Sequence, residues 1–163
     1  SAVLVINFTG GGVRQLARNR DIIPKYPYVS TASAGDEAAM KWLQSNTPQD
    51  AVFATNRIHS MANASDGISS LYTAMSGRQA YMEGYTYAVT NMGVSEAVVA
   101  QKQAVNTALF DASTAPEEVL RLCAENGIDY LVCSKQYPGD TSQLSGLVVV
   151  YENADVTIYA ADQ

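Results

Sequence analysis

The sequence predicts an α/β domain with a three-layer, Rossmann-like fold, in which a mixed, mostly parallel sheet carries helices on both faces and ends in a β-hairpin. Two helix–strand units of similar design, at 33–55 and 114–133, are the first observation behind this prediction. The second is a pair of apolar runs around a short polar turn near the C-terminus, and the third is a length of 163 residues, enough to bury one core. We expect a lead-in or connector segment over residues 1–35 and a single α/β domain over residues 36–163.

The first helix–strand unit begins with polar side chains that are typical of helix caps. Ser33 and Asp36 precede an apolar helical face that extends to Leu43, and a short turn leads into the apolar run 51–55. Apolar residues at consecutive strand positions are typical of a strand covered on two sides, and helix–strand alternation favours parallel pairing. The unit therefore predicts a helix followed by a buried strand.

The second unit repeats this design. Thr114 and Glu117 have the spacing of a capping box around Pro116, and Gly127 stands where a left-handed helix cap is expected. The apolar run 128–133 follows directly. A second helix and a second buried strand are therefore predicted, and the two strands are expected to lie parallel.

The rest of the chain shows a mixture of helix and strand patterns. A helix is predicted over 67–76, a longer helix over 95–110, and an antiparallel hairpin at the end. The remaining prediction is a strand over 79–87, because aromatic and acidic residues alternate there and would lie on one face: Tyr81, Glu83, Tyr85 and Tyr87.

Composition excludes several classes of protein. With 10 basic against 16 acidic residues and a formal net charge of -6, the chain lacks the clustered positive charge of a general nucleic-acid binder. No apolar stretch approaches the ~20 residues that cross a bilayer. Ser1 is not an initiator methionine and no leader pattern follows it, so we expect the chain to be part of a longer polypeptide.

A hydrolytic triad would have to use His59, the single histidine of the chain. The Gly-x-Ser-x-Gly motif of α/β hydrolases does not occur, and neither does His-Glu-x-x-His nor a pair of Cys-x-x-Cys motifs. A loop or helix-start position near Ser60 and Asp66 is therefore favoured for His59 over a catalytic or ligand-binding role. We expect no catalytic residues, no metal site and no cofactor.

The two cysteines, Cys123 and Cys133, lie on opposite sides of the turn at Gly127. A helix that rises ~1.5 Å per residue and a strand that rises ~3.3 Å per residue would leave them offset by more than the ~7 Å Cα separation that a disulfide permits. Two buried thiols are therefore predicted, and a disulfide is the less favoured alternative.

A glycine run at Gly10–Gly12 follows the apolar run Val3–Phe8, which predicts a strand. Glycines after a strand let backbone N–H groups approach a phosphate at a helix N-terminus, so a phosphate-binding loop is one interpretation. The run has neither the Gly-x-Gly-x-x-Gly spacing nor a following Gly-Lys-Ser/Thr, so a connector is favoured.

The most distinctive segment runs from Ser76 to Tyr87 and joins a Gly-Arg turn to a tyrosine-rich stretch. Arg78 and Glu83 with aromatic neighbours Tyr81 and Tyr85 could stack on and hydrogen-bond a sugar or a phosphorylated group. An internal ion pair between Arg78 and Glu83, covered by the tyrosines, is the favoured interpretation, and ligand recognition is the alternative. With His59, these four residues are the candidate ligand-binding set.

Five motifs in one order carry a resemblance to a known family. They are Asp36-Glu37-Ala38-Ala39 to Trp42-Leu43, Asn46-Thr47-Pro48 with Asp50-Ala51-Val52, Ser76-Gly77-Arg78 with Tyr81 to Tyr85, Gly127 to Val132, and Val150-Tyr151-Glu152-Asn153 to Val156-Thr157-Ile158-Tyr159. Together they cover residues 36–160 and resemble the C-terminal soluble domain of large multi-spanning bacterial membrane proteins of the glycosyltransferase C type.

The resemblance implies an accessory domain at the extracytoplasmic face of the cell membrane, within an integral membrane protein. It implies that the membrane-embedded portion of the same polypeptide transfers a sugar from a lipid-phosphate carrier, and that no catalytic residue lies in this chain. The domain would contact the acceptor, a partner or the enzyme's own loops, with a glycan or a lipid-linked sugar as a further partner. The alternative is a free-standing Rossmann-like domain that binds a nucleotide or phosphosugar, based on the strand and Gly10–Gly12.

Overall fold

The computed structural model describes residues 32–58, 70–137 and 141–161 of the chain. The helices of this part are α1 (Ala34–Asn46), α2 (Leu71–Ser76), α3 (Tyr85–Met92), α4 (Glu96–Leu109) and α5 (Pro116–Asn126). The strands are β1 (Val52–Thr55), β2 (Gln79–Ala80), β3 (Tyr130–Ser134), β4 (Val148–Glu152) and β5 (Val156–Ala160). Short 3-10 turns follow at Asn56–Ile58 and Ser142–Leu144.

Helix α1 begins at the cap that the sequence predicts. The Ser33 hydroxyl accepts a hydrogen bond from the backbone N–H of Asp36 at 3.0 Å, and the Asp36 carboxylate accepts one from the N–H of Ser33 at 2.9 Å. This reciprocal pair satisfies two of the N–H groups that a helix start leaves without partners. The predicted order of helix, turn and strand over 33–55 is confirmed.

Helix α5 begins differently from the prediction. Ala115 is the N-cap and makes no side-chain cap, while Pro116 occupies the first turn. Proline fits there because its backbone lacks the N–H that would otherwise need a partner, so no capping box is needed. The predicted Thr114–Glu117 box is wrong, whereas Gly127 ends the helix in the left-handed conformation, with φ 62°, as predicted.

The strands form a five-stranded mixed sheet in the order β2-β1-β3-β5-β4. β1 pairs in parallel with both β2 and β3, which confirms the parallel pairing of the two helix–strand units. β5 runs antiparallel to β3 and to β4. The described residues therefore form an α/β fold around a mixed sheet.

Apolar residues collect in two core clusters. The first cluster contains strand residues together with residues of α1 and α2: Phe53, Val132, Ile158, Met40, Leu43 and Tyr72. The second contains strand residues together with residues of α4 and α5: Ala54, Leu131, Cys133, Leu109, Val119 and Cys123. Successive residues of β1 and β3 thus belong to different clusters, because side chains alternate between the faces of a strand.

The predicted strand over 79–87 is wrong beyond its first two residues. β2 ends at Ala80, and both Tyr81 and Met82 are buried, so the expected alternation between a buried and an exposed face fails. Gly84 then adopts the left-handed conformation, with φ 60°, which extended backbone cannot continue through. The chain enters α3 at Tyr85 instead, and the alternating residues of this segment do not share a strand face.

Other predictions fall partly or wholly outside the described residues. The predicted helix over 67–76 is present as α2 from Leu71 onward, and α4 confirms the longer helix, with Ser95 as its cap. His59, the Gly10–Gly12 run and its strand, and the lead-in segment lie outside the described part. Within residues 32–58, 70–137 and 141–161, no helix has the length and apolar character needed to cross a membrane.

Candidate functional site

Arg78 binds the C-terminal end of α1. Its guanidinium donates to the carbonyl oxygens of Gln44 at 2.5 Å and Thr47 at 2.9 Å, and Nε donates to the Thr47 hydroxyl at 3.0 Å. Carbonyls at the end of a helix lack intrahelical partners and carry partial negative charge, so a cation is stabilising there. Arg78 therefore ties the turn between α2 and β2 to α1.

Glu83 binds the N-terminal end of α2. Its carboxylate accepts from the backbone N–H groups of Tyr72 at 3.1 Å and Thr73 at 2.9 Å, at a helix start where Ser70 provides no side-chain cap. Burial raises the pKa of Glu83, partly opposed by these hydrogen bonds and by Arg57. The predicted Arg78–Glu83 ion pair is wrong, because each group is held by a different helix end.

Tyr81 and Tyr85 pack toward α4 and α5. The Tyr81 hydroxyl donates to Oδ1 of Asn126 at 2.8 Å, and the ammonium of Lys102 lies 4.7 Å from the centroid of the Tyr81 ring. Tyr85 is half-buried against the second core cluster. Of the predicted ligand-binding set, Tyr81, Glu83 and Tyr85 line one depression. Arg78 is not among its lining residues.

This depression and a neighbouring one form what we call the Tyr81 cleft, the candidate site. An apolar groove of about 300 Å³ is lined by Met82, Glu83, Tyr85, Ala88, Val94 and Val99. A polar pocket of about 380 Å³ is lined by Val52, Gln79, Gln101, Glu125 and Asn126. Tyr81, Val98 and Lys102 line both depressions, so the two adjoin. Volumes of this size are those of small-molecule sites.

The polar side of the cleft was not predicted from the sequence. Lys102 is the only basic residue of α4 and has uncharged neighbours in the sequence. This isolated charge is the one sequence feature that could have identified Lys102 as a site residue. Asn126 is the last residue of α5, and only the fold brings it to Tyr81. Residues separated by 45 positions along the chain meet here, which no local pattern indicates.

Apolar side chains near the groove are exposed to solvent. α3 has no buried residue, and Met92 is 72% and Tyr87 52% exposed. Val98, at the junction of the groove and the polar pocket, is 47% exposed. Exposed apolar side chains beside a groove are consistent with a binding surface.

Polar residues also gather where β1 and β3 end. The Asn56 amide donates to the carbonyl of Ser134 at 3.0 Å and accepts from its N–H at 2.8 Å, bridging the two strands. The guanidinium carbon of Arg57 lies 5.2 Å from the Tyr72 ring centroid and 5.6 Å from that of Tyr137. From β1 the chain continues to β2 at one edge of the sheet, and from β3 it continues to β4 at the opposite edge. The ends of β1 and β3 therefore form a topological switch point, the position where α/β folds bind ligands.

Tyr72 and Asp36 join α2 to α1 beside this region. The Tyr72 hydroxyl donates to the Asp36 carboxylate, and both side chains are fully buried. Burial, followed by this hydrogen bond, raises the pKa of Tyr72 far above its ordinary value. The phenol therefore keeps its proton at neutral pH and acts as a hydrogen-bond donor that fixes the two helices.

Cys123 and Cys133 are free and buried, which confirms the predicted pair of thiols. Burial raises the pKa of each thiol to about 12. Because the thiolate is the reactive form of cysteine, neither side chain is an activated nucleophile at neutral pH.

Metal-ligating side chains do not assemble in the described ranges, where no group of three or more histidine, cysteine, aspartate or glutamate residues could hold an ion. No protein-family model and no curated protein matches this chain.

Proposed function

We propose that this chain is an accessory domain of a multi-spanning membrane glycosyltransferase-like protein, without catalytic activity of its own, at the extracytoplasmic face of the membrane. The observation that carries the proposal is the Tyr81 cleft, whose wall includes Tyr81, Glu83 and Tyr85 of the motif that resembles the family. The cleft is the surface through which the domain contacts the membrane-embedded portion of the same polypeptide, an acceptor or a partner, with a glycan or lipid-linked sugar as a further ligand.

The exposed apolar residues support a binding role for this surface. Removing apolar area from water contributes roughly 25 cal/mol per Å². Covering Met92, Tyr87 and Val98 would therefore stabilise a complex, while no contact among the described residues buries them. A binding surface here requires no reactive group.

We also propose that the domain has the three-layer, Rossmann-like arrangement with a C-terminal hairpin. The alternation of strand residues between two core clusters supports helices on both faces of the sheet. The antiparallel pairing of β4 with β5 supports the hairpin.

Photo-crosslinking in the full-length membrane polypeptide tests the proposed function. A benzophenone amino acid at Met92 is expected to cross-link to the membrane-embedded portion, to an acceptor or to a partner. The matched control places the same group at Lys41, which is exposed on α1. Equal cross-linking from both positions, or none from Met92, would contradict the proposal.

Binding of a nucleotide or phosphosugar is a second candidate function. The observation that favours it is the sheet's switch point, with Asn56 and Arg57 after β1 and Ser134 at the end of β3. Thermal unfolding against millimolar nucleotides, nucleotide sugars and sugar phosphates tests it. A rise in Tm with one ligand class would support this function, and an unchanged Tm with all of them would exclude it.

A further inference from the structure

We infer that the Tyr81 cleft binds a neutral amphipathic molecule, with a hydroxylated head in the polar pocket and a hydrocarbon chain in the apolar groove. This inference rests on the proposed function, because it names the class of ligand for the same cleft. The two depressions differ in lining but share Tyr81, Val98 and Lys102. One molecule with two chemically different ends therefore fits both at once.

The polar pocket has the hydrogen-bonding capacity that a hydroxylated head requires. Side-chain amides offer both donors and acceptors, and a hydroxyl group both donates and accepts. Within the described residues, the side-chain amides of Gln79 and Gln101 make no hydrogen bond, so they are available to a ligand. Asn126 is partly engaged, since its Oδ1 accepts from Tyr81 and its Nδ2 donates to the Leu122 carbonyl.

The charge of the pocket favours a neutral head over an anionic one. The lining contains one cation, Lys102, and one anion, Glu125. Lys102 donates to the carbonyl of Tyr81 at 3.3 Å, and Glu125 accepts from Arg121. Because the two formal charges of the lining cancel, a phosphate placed there would leave a net negative charge.

The apolar groove has the lining that a hydrocarbon chain requires. Apolar and aromatic side chains make up most of its wall, among them Tyr85, Ala88, Val94 and Val99. Glu83 is the one acid there, and its carboxylate is held by backbone N–H groups of α2. Burial raises the pKa of Glu83, as expected for a carboxyl group in surroundings of low polarity.

Calorimetric titration of the 163-residue chain tests the inference with four probes: n-octyl glucoside, glucose, 1-octanol and octyl phosphate. The two surfactants, n-octyl glucoside and octyl phosphate, are kept below their critical micelle concentrations. We expect n-octyl glucoside to bind at least tenfold more tightly than each of the other three, because only it satisfies both halves of the cleft. Tighter binding of octyl phosphate, or equal binding of n-octyl glucoside and glucose, would overturn the inference.

Two matched pairs of variants locate the binding. Val98→Asp places a carboxylate at the junction of the depressions and should weaken n-octyl glucoside binding at least tenfold, whereas Ala97→Asp, in the same exposed turn, should not change it. Gln101→Ala should weaken binding about fivefold, the factor for one neutral hydrogen bond, and Gln103→Ala should not. Equal effects within either pair would contradict the inference.

The two proposals fail in distinguishable ways. Absence of n-octyl glucoside binding, with cross-linking from Met92 intact, would remove the inferred ligand class and leave the proposed function standing. Absence of both results would remove both proposals. Binding of n-octyl glucoside that follows the predicted order of the four variants would support the inference.

Discussion

Two charged residues of the segment 78–83 each bind one end of a helix. Arg78 occupies the carbonyl end of α1, and Glu83 occupies the N–H end of α2. Both positions match the sign of the partial charge at a helix terminus. Two residues that stand close in sequence thus act on two different helices, and their roles are structural in the described fold.

Replacing Arg78 with alanine should destabilise the fold. Arg78→Ala removes the donors to Gln44 and Thr47, so we expect the free energy of unfolding to fall by about 1 to 2 kcal/mol. Urea denaturation followed by circular dichroism measures this loss. Arg121→Ala is the control, because Arg121 makes only exposed ion pairs, and it should change stability little. An equal effect of both substitutions would show that Arg78 does not hold α1.

Glu83 should make the fold less stable as pH rises. Its folded pKa is raised, so the native state binds the proton more tightly than the unfolded state, and stability falls as pH rises above 4.5 through the folded pKa. Glu83→Gln removes this dependence. The Tm of the variant minus that of the wild type should therefore increase between pH 4 and pH 7. A difference that stays constant or decreases would contradict the burial of this carboxyl group.

Elements differ in how far local sequence determines them. The helices α1, α4 and α5 and the strands β1 and β3 are predictable, because caps, apolar periodicity and the Gly127 turn all act within a few residues. The segment 79–87 is not predictable in this way. Its tyrosines alternate as in a strand, but Gly84 adopts the left-handed conformation and the Glu83 carboxylate binds the start of α2. The chain therefore enters α3 and does not continue as a strand.

The residues of the Tyr81 cleft also differ in how far the sequence alone identifies them. Tyr81 and Tyr85 are identifiable as aromatic residues beside a Gly-Arg turn, and the cleft contains both. Gln101 and Asn126 come from two separate helices, and their place in the cleft depends on tertiary packing. The Arg78–Glu83 pairing fails because proximity in sequence carries no information about the helix ends that bind each charge.

The end of α5 should depend on glycine at one position. Gly127→Ala places a side chain in the left-handed conformation, which costs about 1 to 2 kcal/mol, although no atom lies within 4 Å of the added Cβ. Gly146→Ala is the matched control, because it also meets nothing within 4 Å and no positive φ is present there. Chemical denaturation should find the first variant destabilised and the second nearly unchanged. Similar stabilities would contradict a backbone origin of the cost.

The packing of α4 and α5 on the strands shields both cysteine thiols from solvent. Cys123 and Cys133 both lie in the second cluster. Their side chains are therefore protected only while the helices α4 and α5 stay packed on the strands. Thiol accessibility reports on the integrity of this packing as a unit.

Thiol labelling should follow global unfolding. At pH 8 we expect neither cysteine to react with Ellman's reagent in the folded chain, because burial hides both and raises their pKa to about 12. In 6 M guanidinium chloride both should react. Rapid labelling of either thiol under native conditions would show that the second cluster is open.

We propose that the Tyr81 cleft is the binding surface through which this domain serves a larger membrane polypeptide. Amide hydrogen exchange tests this role when it is compared between the 163-residue chain alone and the same residues within the membrane polypeptide. We predict added protection in residues 79–102, across β2, α3 and the first half of α4. Unchanged exchange in that range, with added protection confined to α1, would contradict the claim.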